Sequence, residues 1–235
     1  VPMTDPANYG IGGSGTTRDA RTAWLQADYT DSLEPAKTAA MNAISTINLL
    51  RSLNIGAYAP ANGAVYPNTG LARGLRSTAA LIKADIGVEA VHLDIGGWDT
   101  HTDQNPLTGG MSTTMTQLSG ALGAFWQDCI SSGLAQNVTV VVLSEFGRNV
   151  RENGSRGTDH GRGTAMFAMG RGIRGGRVLT NNWRPLAQEN LVDRQDLAVS
   201  IDYRDILGEI VQNRLGNSNL STVFPGYVPA FRGVT

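Results

Sequence analysis

An α/β fold built around a mostly parallel sheet is what this sequence predicts, and three features predict it. Val88 to Ile95 and Val138 to Leu143 are short apolar runs rich in β-branched residues, the first of them stopping at two glycines. Between them, Met115, Leu118, Leu122, Phe125 and Trp126 recur at helical spacing within Ser112 to Ser131. Strand, helix, strand makes a βαβ unit, whose crossover is right-handed. The Val138 run is too apolar to face water on either side, as a central parallel strand requires.

In chain order, the opening through Thr17 is polar and glycine-rich and has the character of a loop or a cut end. Asp19 to Tyr29 and Asp31 to Leu53 follow as two helices joined near Thr30, with Leu33, Ala36, Ala40, Ile44, Ile47 and Leu50 on one stripe. Residues 1–56 are thus a mainly helical lead-in. Ala57 to Gly70, with Pro60, Gly63 and Pro67, is an irregular connection, and Leu71 to Asp85 resumes a helix that stops at Gly87. Beyond the Val138 strand, Thr164 to Met169 is a third short strand and Tyr203 to Leu215 a final amphipathic helix ending at Gly216. Neither an internal repeat nor an interdomain linker is present, so 1–235 is expected to form a single domain.

Composition narrows the partners. Nineteen basic and 20 acidic residues leave a net charge of −1, which argues against nucleic acid or an anionic membrane as the partner. No apolar stretch approaches the ~20 residues that cross a bilayer. The single Cys129 excludes an internal disulfide, and its apolar neighbours favour a buried, structural thiol. Nothing in the sequence sets the oligomeric state. Two Gly-x-Gly-x-x-Gly matches, at Gly10 and Gly170, lack the strand and helix of a dinucleotide site. Three glycosylation sequons, at Asn137, Asn153 and Asn219, are at chance level in a Ser- and Thr-rich chain.

The chemistry concentrates in two loops. Asp99 and His101 follow the Val88 strand at i and i+2 spacing, which in an extended segment turns both side chains to one side and lets them share a cation. Open α/β sheets bind ligands at these strand ends. The alternative is a loop Asp capping a turn beside a packed His. Asp159 and His160 are adjacent and need a bend to share a metal, which Gly157 and Gly161 supply; their alternative is again structural. Glu145 leaves the Val138 strand at the same sheet edge, either as a metal ligand or paired with Arg148. Arg148, the candidate catalytic residue, would then hold an anionic substrate in a forked contact. His92, inside the strand pattern, is expected to be a core histidine. A nitrogen and oxygen ligand set suits zinc or manganese better than calcium or magnesium.

Four motifs in order, Gly96-Gly97-Trp98-Asp99-Thr100-His101, Ser144-Glu145-Phe146-Gly147-Arg148, Glu152-Asn153-Gly154 and Gly157-Thr158-Asp159-His160-Gly161, resemble the domain-of-unknown-function family numbered 1501. The likeness extends to Asp202-Tyr203-Arg204-Asp205 and Val223-Phe224-Pro225-Gly226, covering the chain from about Tyr58 onward. That family is grouped with sulfatases and alkaline phosphatases. The resemblance implies a three-layer α/β/α fold with one or two metals at the strand ends, and hydrolysis of a phosphate or sulfate ester. It implies a small anionic ester or a polysaccharide sulfate as partner, and an exported location. By motif order Asp99 and His101 match the first metal pair, Glu145 the start of the second, and His160 a distant third ligand. The chain departs from the superfamily in carrying Phe146 where a His is expected and in lacking an N-terminal Asp and nucleophile. The resemblance therefore implies the carboxyl-terminal part of an alkaline-phosphatase-like domain without its N-terminal strand or strands, catalytic only in its intact form. A metal-braced binding or structural module is the competing reading.

Overall fold

The computed structural model describes Met3, 5–130 and 137–235; the opening Val1-Pro2 and the expected helix end at Ser131 lie outside these residues. Four α-helices precede the first strand: α1 (Gly15–Thr30), α2 (Ala36–Ser52), α3 (Gly70–Lys83) and α4 (Gly110–Ile130). Then come β1 (Thr139–Val142), β2 (Gly147–Arg148), β3 (His160–Gly161), β4 (Phe167–Gly170), α5 (Tyr203–Leu215) and the one-turn α6 (Leu220–Val223). Helix α2 begins at Ala36, not Asp31, because Pro35 lacks an N–H and the residue before a proline avoids the helical region. Leu33 consequently leaves the apolar stripe and is exposed, while Ile44, Ile47 and Leu50 are buried as one helical face.

The strands differ most from expectation. Val88 to Ile95 forms no strand: it belongs to no ladder among the described residues, and Val88, Val91 and Leu93 are exposed. A strand exists only through a neighbour's backbone groups, and among the described residues none is hydrogen-bonded to this segment. His92, expected in the core, is 87% exposed and faces Asp94 at 3.4 Å. Leu93 nonetheless rests on α3, where Gly74 leaves room for it: a Cβ there would lie 2.9 Å from the leucine. The strand pairs formed among the described residues are antiparallel, β1 with β4 (Thr139 opposite Gly170) and β2 with β3.

β1 nevertheless lies between two apolar layers, which follows from its alternation. Val138 and Val140 pack on the α3–α4 cluster of Ala72, Leu75, Ala79, Ala121, Phe125 and Cys129. Val141 faces the opposite cluster, built on Ile206 and Ile210 of α5 with Val234 of the carboxyl-terminal tail. Burial pushes the Cys129 thiol up to about 11, which keeps it protonated and unreactive.

Each layer carries a buried carboxylate cluster. On α4, Asp128 is fully buried and accepts from the hydroxyls of Tyr58 and Tyr66, the backbone N–H of Ala61 (2.7 Å) and Lys83 Nζ (2.5 Å). These bonds pin the irregular 57–70 connection across the α3–α4 pair. Burial alone would raise the Asp128 carboxyl, but the Lys83 ammonium and the three other donors outweigh it and hold it below the usual carboxylate range. Its stabilisation is therefore complete above the unfolded value of about 3.9 and is lost as pH falls through the lower folded value. Asp128→Asn is expected to cost about 3 kcal/mol at neutral pH and to flatten the acid limb of a Tm-against-pH curve. Parallel acid limbs for the two proteins would refute the assignment.

Candidate metal centre

Two loops meet here, one after Trp98 and one around Asn153 to His160, and a small hairpin fixes their approach. β2 pairs with β3 so that Arg148 lies opposite His160 and Gly147 opposite Gly161. Directly opposed residues project from the same face, so Arg148 and His160 both point at Asp99. The first loop is tied on by Thr158 N–H to Thr100 O, Asp103 N–H to Ser155 O and Gln104 N–H to Arg156 O. Gly157 makes this approach possible: a Cβ there would lie 2.2 Å from the His101 carbonyl group.

Asp99, His101 and His160 form the cluster. One ligand atom from each lies within 4.8 Å of the others. Asp99 Oδ1 is 3.0 Å from His101 Nε2 and 2.7 Å from His160 Nε2. In a tetrahedral zinc site, ligand atoms are about 3.3 Å apart, so a cation would replace the direct Asp99–His101 and Asp99–His160 contacts and widen both by a few tenths of an ångström. The three side chains are 45–59% exposed, which leaves coordination positions open to solvent or a further ligand.

Asp159 stands behind His101, its Oδ1 2.9 Å from Nδ1. With Nδ1–H given to that carboxylate, a neutral His101 turns its Nε2 lone pair toward Asp99, the orientation a cation requires. The His101 contact, with the amide of Asn153, lowers the Asp159 carboxyl; contact with His160, and the charges around it, lower that of Asp99. Rings stack behind the ligands: His101 on His160 at 5.0 Å and Phe146 on His160 at 4.4 Å, each with planes 14° apart.

Two other predicted residues are placed differently from their expected roles. Arg148 turns into the site, but its fork is committed to protein: Nη2 donates to Asp99 Oδ1 and Trp98 O, both at 2.7 Å, and Nη1 to Thr158 O at 2.5 Å. It joins the two loops and sets the angle of the Asp99 carboxylate, so no forked face remains for an anion. Glu145 is exposed and joins neither the cluster nor Arg148.

Two further residues, Asn153 and Gln104, connect the loops without having been candidates from the sequence. Asn153 Oδ1 accepts from the N–H groups of Ser155 and Gly157, and its Nδ2 donates to His101 O and Asp159 Oδ1. The available signal was Asn153-Gly154-Ser155, an Asx-turn sequence as well as a sequon. Gln104 Oε1 accepts from the hydroxyls of both Thr100 and Thr158. Nothing in the sequence marked it.

No curated protein and no solved structure matches this chain. The family model described as "Protein of unknown function (DUF1501)" matches residues 37–207, a span that takes in every residue of the cluster, Asp159 and Arg148, and the chain belongs to that family.

Proposed function

We propose that the chain binds one divalent cation, zinc or manganese, through Asp99, His101 and His160, and that the centre serves hydrolysis of a phosphate or sulfate ester, in the manner of sulfatases and alkaline phosphatases. The observation that carries this reading is the convergence of two imidazole nitrogens and a carboxylate oxygen, with His101 oriented from behind by Asp159. The packing of β1 between two apolar layers supports the corresponding three-layer α/β/α architecture.

A bound cation would supply Lewis acidity toward a phosphoryl or sulfuryl oxygen. Hydrolysis breaks the P–O or S–O ester bond, adds the oxygen of water to phosphorus or sulfur and returns a proton to the departing alcohol. The chain's residues hold the ligands for this: Asp159 fixes the His101 ring, Arg148 fixes the Asp99 carboxylate, and Phe146 braces His160. Thr100 and Thr158 give their hydroxyl protons to Gln104, so neither is assigned as the nucleophile.

Titration of the chelator-treated chain with zinc or manganese chloride is expected to reach one ion per chain and to lose it in Asp99→Asn. Inorganic phosphate or sulfate is then expected to bind only the loaded chain. A tightly bound cation with no anion affinity would return the centre to a loop-bracing role, whose coordination is closed.

A further inference from the structure

Beside the cluster lies a cleft of about 460 Å³, within the usual range for small-ligand sites. Asp159 belongs to both: its carboxylate holds His101, and the residue is part of the cleft lining. Two features of the lining define what it can take. First, all nine lining residues are polar or charged, among them Asn149, Asn153, Gln188 and Gln195; no aliphatic or aromatic side chain is present. Ligand sites for aryl or alkyl groups are walled mainly by apolar side chains, whereas here such a group would meet only the methylene parts of polar side chains and would desolvate the amides and carboxylates beside them. Side-chain amides offer a donor and an acceptor each, the complement of a hydroxyl, which is both. Second, Arg151 and Arg194 line the cleft, are exposed, and form no ion pair among the described residues. They present the unengaged guanidinium groups that Arg148, committed to Asp99, does not.

The wall carrying Arg194 is pre-shaped. Asp193 and Arg194 both hold left-handed backbone, φ 51° and 62°, a conformation non-glycine residues adopt reluctantly. Arg194 N–H to Leu191 O, and Arg162 to the Asp193 carboxylate at 3.1 Å, keep the turn in place. β2 extends toward the same wall through the Asn149–Asp196 bridge and Val150 N–H to Gln195 O.

The geometry points to this cleft as the subsite for the alcohol part of the ester, and to that alcohol as a sugar or another polyol, with Arg151 and Arg194 donating to its hydroxyls and the lining carboxylates Glu152 and Asp193 accepting from them. The assignment rests on the ester-hydrolase reading above and narrows its substrate class.

The test is calorimetric binding to the full chain, with and without added zinc chloride, of glucose 6-sulfate and glucose 6-phosphate against 4-nitrophenyl sulfate and phosphate. The sugar esters are expected to bind at least ~10-fold more tightly, a difference easily resolved in Kd. Arg151→Ala with Arg194→Gly, the glycine suiting the left-handed backbone, is expected to abolish the preference while zinc stoichiometry stays unchanged. Equal binding of sugar and aryl esters, or a preference that survives in the double variant, overturns the proposal. Zinc content of the same samples judges the metal centre separately: zinc bound without sugar preference removes only the cleft assignment, and sugar preference without zinc removes only the metal reading.

Discussion

Glu209→Ala and Asp205→Ala are each expected to destabilise the chain by about 3–5 kcal/mol, read as a lower urea midpoint and early proteolysis of the carboxyl-terminal tail. One turn apart on α5, the two residues share a helical face, and both are almost completely buried. Glu209 accepts from the N–H groups of Arg232, Gly233 and Thr235, each at 2.8 Å, and from the Thr235 hydroxyl. Asp205 accepts from the Tyr227 hydroxyl, the Ala230 N–H and the Arg232 guanidinium. The two carboxylates therefore take the tail's N–H donors at Ala230, Arg232, Gly233 and Thr235, and they set Val234 into the core beneath β1. Removing either leaves several donors orphaned at once, a larger loss than any single hydrogen bond. Burial would raise both carboxyls, but the donors keep both below the ordinary range, so the clamp holds at neutral pH and fails only in acid. Glu209→Gln keeps the shape but turns an amide N–H₂ toward donors, and is expected to recover only part of the loss. A change below about 1 kcal/mol in Glu209→Ala, the ordinary size of a surface substitution or single bond, would show that the tail is not held this way.

Helices were legible in the sequence where local signals suffice. α5 ends at Gly216 in the left-handed conformation its period and glycine predict, and the helix expected over Leu71 to Asp85 is α3, Gly70–Lys83. The Val138 run was legible as a strand between two apolar layers, though among the described residues its partner is the antiparallel β4 and not parallel neighbours on both sides. Val88 to Ile95 shows the limit of that logic: its composition satisfies a strand, but a ladder partner is not encoded within the segment. At the site, glycine-bordered loops at candidate strand ends singled out Asp99, His101 and His160. Glu145 follows a strand in the same way yet lies outside the site, since adjacent residues of an extended chain face opposite ways. Phe146 and Arg148 turn inward to the histidines, so Glu145 faces solvent. Asp159 and Arg148 were legible as site residues, but their roles depend on which atoms they meet. Whether a carboxylate ligates a metal or orients a ligand is decided by distances that spacing alone does not contain.

That distinction supplies the second large effect. Zinc affinity is expected to fall about 10–100-fold in Asp159→Ala, the range for losing a group that orients a metal-ligating histidine, and further still in His101→Ala and His160→Ala. The order follows from the geometry. His101 and His160 present Nε2 directly to the shared position, whereas Asp159 acts through Nδ1 of His101. Asp159→Asn separates orientation from charge: its amide oxygen can still accept the Nδ1–H, so the ring stays in place while a negative charge is lost. It is expected to lie between wild type and Asp159→Ala, and its deficit to shrink at higher salt, where charge contributes less. His92→Ala provides the internal control, since His92 is exposed and away from the cluster, and it is expected to leave affinity unchanged. Measured by competition with a chromogenic chelator, an Asp159→Ala loss as large as that of His101→Ala would place Asp159 on the metal itself. Wild-type affinity in both histidine variants would remove the centre altogether, because no other group of three His, Cys, Asp or Glu residues among the described residues brings ligand atoms this close together.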